Sequence, residues 1–213
     1  MKNKLKRLLI ITILFLSNIF IVQANEQFNF DVTEVEIIEK GNKFIGKKRG
    51  IITTQDNIEI EADQFEYNKI SNILKLTGNA KIVDLDENTI IYSQKITYYK
   101  DQELFESDLS SKFVNKEFII ISDKMKYNKS LNSINALGNV KIDDKEKKYT
   151  IYAEDINYLR NIEKIFTKGK TRALINSEYD FKSFDVELLR DQNILSSKKK
   201  SSILDKKSKL YEI

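Results

Sequence analysis

The sequence predicts an all-β, antiparallel fold in which strands turn a corner from one sheet into another, as in orthogonal sandwiches and jelly rolls. Three observations predict it. A unit of about thirty residues recurs six times along the 213-residue chain. Within each unit apolar residues alternate with period two, and no segment after residue 25 keeps a helical stripe. Once in every unit the parity of that alternation flips.

The repeat is plainest where "YNKISNILKLTGNAKI" (67–82) returns as "YNKSLNSINALGNVKI" (127–142). The true period is half that spacing. A small or modest residue anchors each unit, with apolar residues two before, three after and five after. Ile60, Ala62, Phe65 and Tyr67 set the pattern. Ile91, Ser93, Ile96 and Tyr98 repeat it, as do Ile120, Ser122, Met125 and Tyr127, and Ile151, Ala153, Ile156 and Tyr158. Weaker copies are Phe30, Val32, Val35, Ile37 and Phe181, Ser183, Val186, Leu188. The anchors stand at 32, 62, 93, 122, 153 and 183. Ile60 and Ala62 are even, Phe65 and Tyr67 odd, so a bulge or sharp bend must lie between them if one strand is to face one core throughout. The same flip falls at Gln94-Lys95, Asp123-Lys124, Glu154-Asp155 and Phe184-Asp185.

Each unit has a second strand. Apolar residues stand twelve beyond every anchor, at Phe44, Leu74, Phe105, Ile134, Ile165 and Leu195. Gly78, Gly138 and Gly169 stand sixteen beyond theirs, and the other three copies lack the glycine. "YNK" followed by Asn72 or Asn132 is turn chemistry, because Asn tolerates left-handed backbone and caps its neighbours. There is no proline and there are six glycines, so turns depend on Asn, Asp and Lys.

The N-terminus reads as a secretory signal peptide over residues 1–24: Lys2, Lys4, Lys6 and Arg7, an apolar run Leu8–Val22, then Val22-Gln23-Ala24. An uncleaved anchor is the alternative, and both place the remaining domain, 25–213, outside the cytoplasm. Cys and His are absent, which removes disulfides, thiolate metal sites, the Ser-His-Asp triad and the commonest zinc ligand. No enzyme, cofactor or metal is expected. Export and a net charge of only +4 argue against nucleic acid.

The stretch "EADQFEYNKISNILKLTGNAKIVD" and its copy "ISDKMKYNKSLNSINALGNVKIDD" resemble the OstA-like (organic solvent tolerance) domain, over about residues 28–205. The matching pattern is Asp63, Tyr67, Gly78 and Asn79, repeated at Asp123, Tyr127, Gly138 and Asn139. The family includes the periplasmic bridge protein of lipopolysaccharide transport and the N-terminal domain of the outer-membrane lipopolysaccharide-assembly protein. The resemblance implies a curved β-jelly-roll of two sheets, shaped like a folded wafer, whose apolar interior holds the acyl chains of lipid A. It also implies a periplasmic location, possible association with the outer-membrane assembly complex, and edge-to-edge strand pairing with other OstA-like domains.

On that reading the lipid-groove candidates are Phe65, Tyr67, Leu74, Leu76, Ile96, Tyr98, Phe105, Met125, Tyr127, Ile134, Ile156, Tyr158 and Ile165, each of which also reads as ordinary core. Asp63, Asp123, Gly78, Asn79, Gly138, Asn139 and Gly169 are expected to shape corners and turns, with the two aspartates capping corner backbone. Lys198, Lys199 and Lys200 in "SSKKKSS" are candidate contacts for lipid phosphates, or else a solvated edge. Tyr211 and Ile213 look like the start of a seventh unit, so the C-terminal edge is expected to be open. A free-standing bridge and the N-terminal part of a barrel-bearing assembly protein both fit. So does a structural exported β-repeat protein, an adhesin or β-helix without lipid cargo.

Overall fold

The computed structural model describes residues 28–212. The expected signal peptide and Ile213 lie outside the described residues. Eighteen strands follow in chain order: β1 Phe28–Asp31, β2 Val35–Ile38, β3 Lys43–Gly46, β4 Gly50–Thr54, β5 Ile58–Ala62, β6 Gln64–Asn68, β7 Ile73–Asp84, β8 Thr89–Tyr99, β9 Leu104–Val114, β10 Phe118–Asn128, β11 Ser133–Asp144, β12 Tyr149–Leu159, β13 Lys164–Ile175, β14 Tyr179–Phe184, β15 Val186–Leu189, β16 Ile194–Ser197, β17 Ser202–Asp205 and β18 Leu210–Glu212. All pair antiparallel in one continuous sheet. Among the described residues no helix is long and apolar enough to cross a membrane.

The long strands β7 to β13 each run through a bend, so the sheet is folded over into two leaves. The front leaf runs β2–β3–β6, then one half of each strand from β7 to β13, then β15–β16. The back leaf runs β1–β4–β5, then the other halves, then β14–β17–β18. Both sheets of the expected jelly roll are thus one sheet folded along a crease. Turns at the opposite margin face one another across a mouth.

The crease has a fixed recipe. Two residues on each returning strand oppose one on its neighbour: Gly78-Asn79 against Gln94, Gly138-Asn139 against Glu154, Gly169-Lys170 against Glu154 and Leu109-Ser110 against Asp123. That count defines a β-bulge. Gly78 and Asn79 both have left-handed backbone (φ 76° and 44°), as do Gly138 and Asn139 (75° and 47°). Outgoing strands insert a single residue at Gln94, Asp123 and Glu154, which accounts for the parity flip. The Ser93 unit, which has no glycine, makes the same bend with Leu109 and Ser110 at φ 65° and 63°.

Small anchors follow from the crease. Ala62, Ser93, Ser122, Ala153 and Ser183 are all buried where the leaves converge and little side-chain volume fits. Hydroxyls there bond locally: Ser107 donates to Ser111 at 2.8 Å across the β9 bulge, and Thr167 and Thr171 share a hydrogen bond across the β13 bulge. Turns also follow expectation. Asn68 Oδ1 accepts the N–H groups of Ile70 and Ser71, and Asn72 and Asn132 are left-handed. Glu103 and Glu163 take the same conformation in sister units.

A Cβ on Gly78 would meet Asp63 Oδ2 at 2.7 Å, and one on Gly138 would clash with Asp123 Oδ2, both at positive φ. Gly78→Ala and Gly138→Ala are therefore expected to cost about 1–3 kcal/mol each. Leu109→Gly relieves roughly 1–2 kcal/mol of left-handed strain but frees the unfolded chain, for a net gain of up to about 1 kcal/mol. Urea midpoints at unchanged slope read both signs.

Candidate functional site

The leaves enclose one apolar interior, and all thirteen groove candidates lie in it. Leu74, Leu76 and Ile96 have no exposed surface, and Tyr67, the most accessible, is 6% exposed. Aromatic rings fill the side nearest the mouth. Within the front leaf Tyr98 stacks on Phe105 (4.2 Å between centroids) and Phe105 on Tyr127 (5.9 Å). Edge-to-face contacts join the leaves: Phe28 to Tyr67 at 4.7 Å, Phe113 to Tyr127 and Phe118 to Tyr158 each at 5.3 Å. Such pairs add about 0.5–1.5 kcal/mol each beyond area burial.

Toward the C-terminal end the leaves separate. A cavity of about 410 Å³ opens between Ile151, Ala173 and Ile175 of the back leaf and Leu188 and Leu195 of the front leaf. Its rim carries Glu146, Lys147 and Lys148.

Ion pairs lace the mouth, and neither their cations nor their role is anticipated by the sequence reading. Seven residues beyond the last four anchors a cation follows the front-leaf strand: Lys100, Lys129, Arg160 and Arg190. Each reaches a carboxylate of the back leaf. Lys100 contacts Asp56, Lys129 lies 2.9 Å from Asp84, and Arg160 lies 3.3 Å from Glu87. Arg190, 4% exposed, bonds Asp144 at 2.6 Å and also lies 2.7 Å from Glu117. Within the front leaf it bonds Glu163 at 2.6 Å. Burial opposes the Arg190 charge, but hydrogen bonds to Asp144 and Glu163 more than offset this and hold its pKa up. Burial pushes the Lys100 ammonium below its ordinary range. The spacing "Y-x-K/R" was the available signal for three of them, since "YYK", "YNK" and "YLR" end at Lys100, Lys129 and Arg160, whereas Arg190 follows Leu188 and Leu189.

The tyrosines beneath serve these pairs. Tyr67 donates to Asn72, Tyr158 to Glu163, and Arg160 donates to the Tyr127 hydroxyl at 3.1 Å. Burial raises the Tyr127 pKa to about 12, and raises those of Tyr98, Tyr149 and Tyr158 as well.

The aspartates and glycines meet at the crease. Asn79 Nδ2 donates to Asp63 Oδ2 and Asn139 Nδ2 to Asp123 Oδ2, both at 2.8 Å. The expected backbone cap is thus made to a side-chain amide instead, because the left-handed Asn turns its amide back over the bulge. At the third corner a backbone cap does form: Gly169 N–H donates to Asp185 Oδ1 at 2.9 Å. Lys198, Lys199 and Lys200 are exposed in the link from β16 to β17, on the crease side, away from the mouth. Among the described residues no group of His, Cys, Asp or Glu is arranged to hold a metal.

Removing one partner of a buried ion pair strands the other, at a cost of about 3–5 kcal/mol. Arg190→Met is expected to cost that much, and Lys47→Met, from the exposed pair with Glu36, less than about 1 kcal/mol. Alkali gives a second test. Tyr127 in the folded protein holds its proton up to about pH 12, whereas the unfolded chain releases it near 10. Stability from this group is therefore complete below pH 10 and is lost as pH rises from 10 to 12, a change on the order of 3 kcal/mol. Tyrosinate absorbance should rise together with loss of the β-sheet circular dichroism rather than before it.

A family described as "Lipopolysaccharide-assembly, LptC-related" matches residues 18–146. No curated protein sequence matches. Among solved structures, LptH, the LptA-homologous periplasmic component of the lipopolysaccharide transport device from Pseudomonas aeruginosa, is similar at 16% identity and a TM-score of 0.48. The similarity covers 54% of this chain and 85% of that one. The family match takes in more than half of the sequence, including the crease motif at Asp63, Gly78 and Asn79 and its copy at Asp123, Gly138 and Asn139. The chain belongs to the LptC-related lipopolysaccharide-assembly family.

Proposed function

We propose that the protein is a non-enzymatic carrier in lipopolysaccharide transport and outer-membrane assembly, with the space between its leaves as the path for lipid A acyl chains. The observation that carries this is the cavity between Ile151, Ala173, Ile175, Leu188 and Leu195, which continues the apolar interior. Burial of acyl chains is worth roughly 0.8 kcal/mol per CH₂. Affinity of that kind needs apolar wall and little polar specificity, which suits a cargo that must be passed on. Export through the N-terminal segment would put the domain in the periplasm, in reach of the outer-membrane assembly complex.

Handover needs neighbours. Strands β1 and β2 end the sheet on one side and β16 and β18 on the other, each paired along one flank only. Their free N–H and C=O groups suit edge-to-edge pairing with other OstA-like transport domains. Lys198–Lys200 adjoin this second edge and would meet lipid phosphates only on the crease side.

Photo-crosslinkers placed one at a time at Met125, Ile156 and Ile165, which face inward, and at Tyr92 and Tyr152, which face outward, test the path. Lipopolysaccharide adducts are expected from the inward set alone. The sealed aromatic contact between leaves favours a second reading, a structural exported β-repeat protein, and absence of adducts at every inward position would establish that one instead.

A further inference from the structure

The mouth is closed where ion pairs lace it and open where they stop. Lys100, Lys129, Arg160 and Arg190 tie front-leaf turns to Asp56, Asp84, Glu87 and Asp144 in that order along the roll. Beyond Arg190 no ion pair joins the next facing turns, 176–178 and 191–193, among the described residues, and there the cavity between the leaves appears, with Asn176 and Asn193 on its wall. A lace of this kind is poor as a stabiliser. Charges removed from water regain little by pairing, and apolar residues of similar size would hold the leaves together at least as well. Two of the contacts are also loosely made: Asp84 Oδ2 and Arg190 Nη2 lie within ion-pair distance of Lys129 and Glu117 but have no aligned hydrogen bond.

We propose that this ladder is a latch, and that an amphiphile with an anionic headgroup opens it by exchange. Its phosphates take over Lys129 and Arg190 from Asp84 and Asp144, while its acyl chains pass between the freed leaves. The proposal rests on the lipid-carrier reading above and adds the entry route and the headgroup site. The chemistry is consistent on both sides. Phosphate competes well with carboxylate for ammonium and guanidinium groups, and guanidinium binds it in a two-pronged geometry. Arg160 sits over the Phe113 and Tyr127 rings and Arg190 over the Phe118 ring, so one ligand with a charged head and apolar tails spans both layers. Arg190, between Glu163 at 2.6 Å and the Phe118 ring at 5.8 Å, stands at the boundary of the sealed and open segments, where exchange would begin.

The test compares loading of bisphosphorylated lipid A with loading of its dephosphorylated form, offered from the same detergent micelles. Wild-type protein is compared with a variant carrying Asp84→Asn, Lys129→Met, Asp144→Asn and Arg190→Met, which removes both members of the two buried pairs and leaves without Arg190 the carboxylates of Glu163 and Glu117, whose side chains are partly exposed to water. In the wild type the phosphorylated lipid should load at least about tenfold faster, and added salt should erode the difference, because it screens the attraction that draws the anionic headgroup through solvent to the cations of the mouth. In the variant the two lipids should load alike, and the dephosphorylated one faster than in the wild type. Equal loading of both lipids by the wild type, or discrimination unchanged by salt, overturns the latch while leaving the carrier reading intact. Discrimination retained by a folded variant does the same. Failure of the wild type to load either lipid overturns the carrier reading and the latch with it. The salt series uses wild-type protein alone, so the outcome stands even if the variant does not fold.

Discussion

Everything in this molecule depends on a sheet being able to fold across its own strands without losing its ladder. Extended chain with one residue per step cannot do this, because side chains that face the core on one side of the bend would face water on the other. Single-residue insertions in outgoing strands and two-residue insertions in returning strands, with one or both residues left-handed, supply the bend. The aspartate-to-asparagine clamps at Asp63–Asn79 and Asp123–Asn139 hold it. Once the bend exists, both leaves of one sheet present Ile, Leu, Phe and Tyr to a shared interior, and crease and mouth are defined as its two margins.

This division sorts the polar residues by task. Near the crease the buried ones are small, neutral and locally bonded, since Ser107 bonds Ser111 and Thr167 bonds Thr171 inside the bulges. At the mouth they are long and charged, and they act between leaves. The hydroxyls of Tyr127 and Tyr158 lie where the apolar interior meets the charged rim, and each is hydrogen-bonded to a member of that rim. A tyrosine suits that level because its ring packs in the core while its oxygen reaches the charges.

Much of this was legible in the sequence, and what was not has a physical reason. Period-two alternation, the parity flip and the glycine spacing report backbone geometry and burial, which few residue types satisfy; they placed the corners at Gln94, Asp123 and Glu154. Leu109 and Ser110 escaped notice because their left-handed conformation is imposed by neighbouring strands against their own preference. The carboxylate partners of the mouth escaped for a different reason. Asp84 and Lys129 are forty-five residues apart and meet only because the sheet folds, and interspersed Lys, Asp and Glu look the same in a sequence whether they pair across a mouth or face water. Whether Phe65 or Ile96 touches lipid or only other core side chains is not a property of sequence pattern at all, since an acyl chain and a leucine make the same demand on their surroundings.

That equivalence sets the central tension in the fold. Interior surface good enough to attract acyl chains is also good enough to pack on itself, and between residues 60 and 165 it does so, with aromatic rings of the two leaves in contact. An empty apolar groove would lose dispersion contacts on every unfilled wall, so a carrier without cargo is driven to close. Closure must remain reversible for the groove to be used. Further apolar contact at the mouth would deepen the closed state with no means of release, whereas ion pairs offer groups that an anionic ligand can claim. Placing charge at the mouth and hydrocarbon behind it therefore reconciles a stable empty protein with an interior that can be opened.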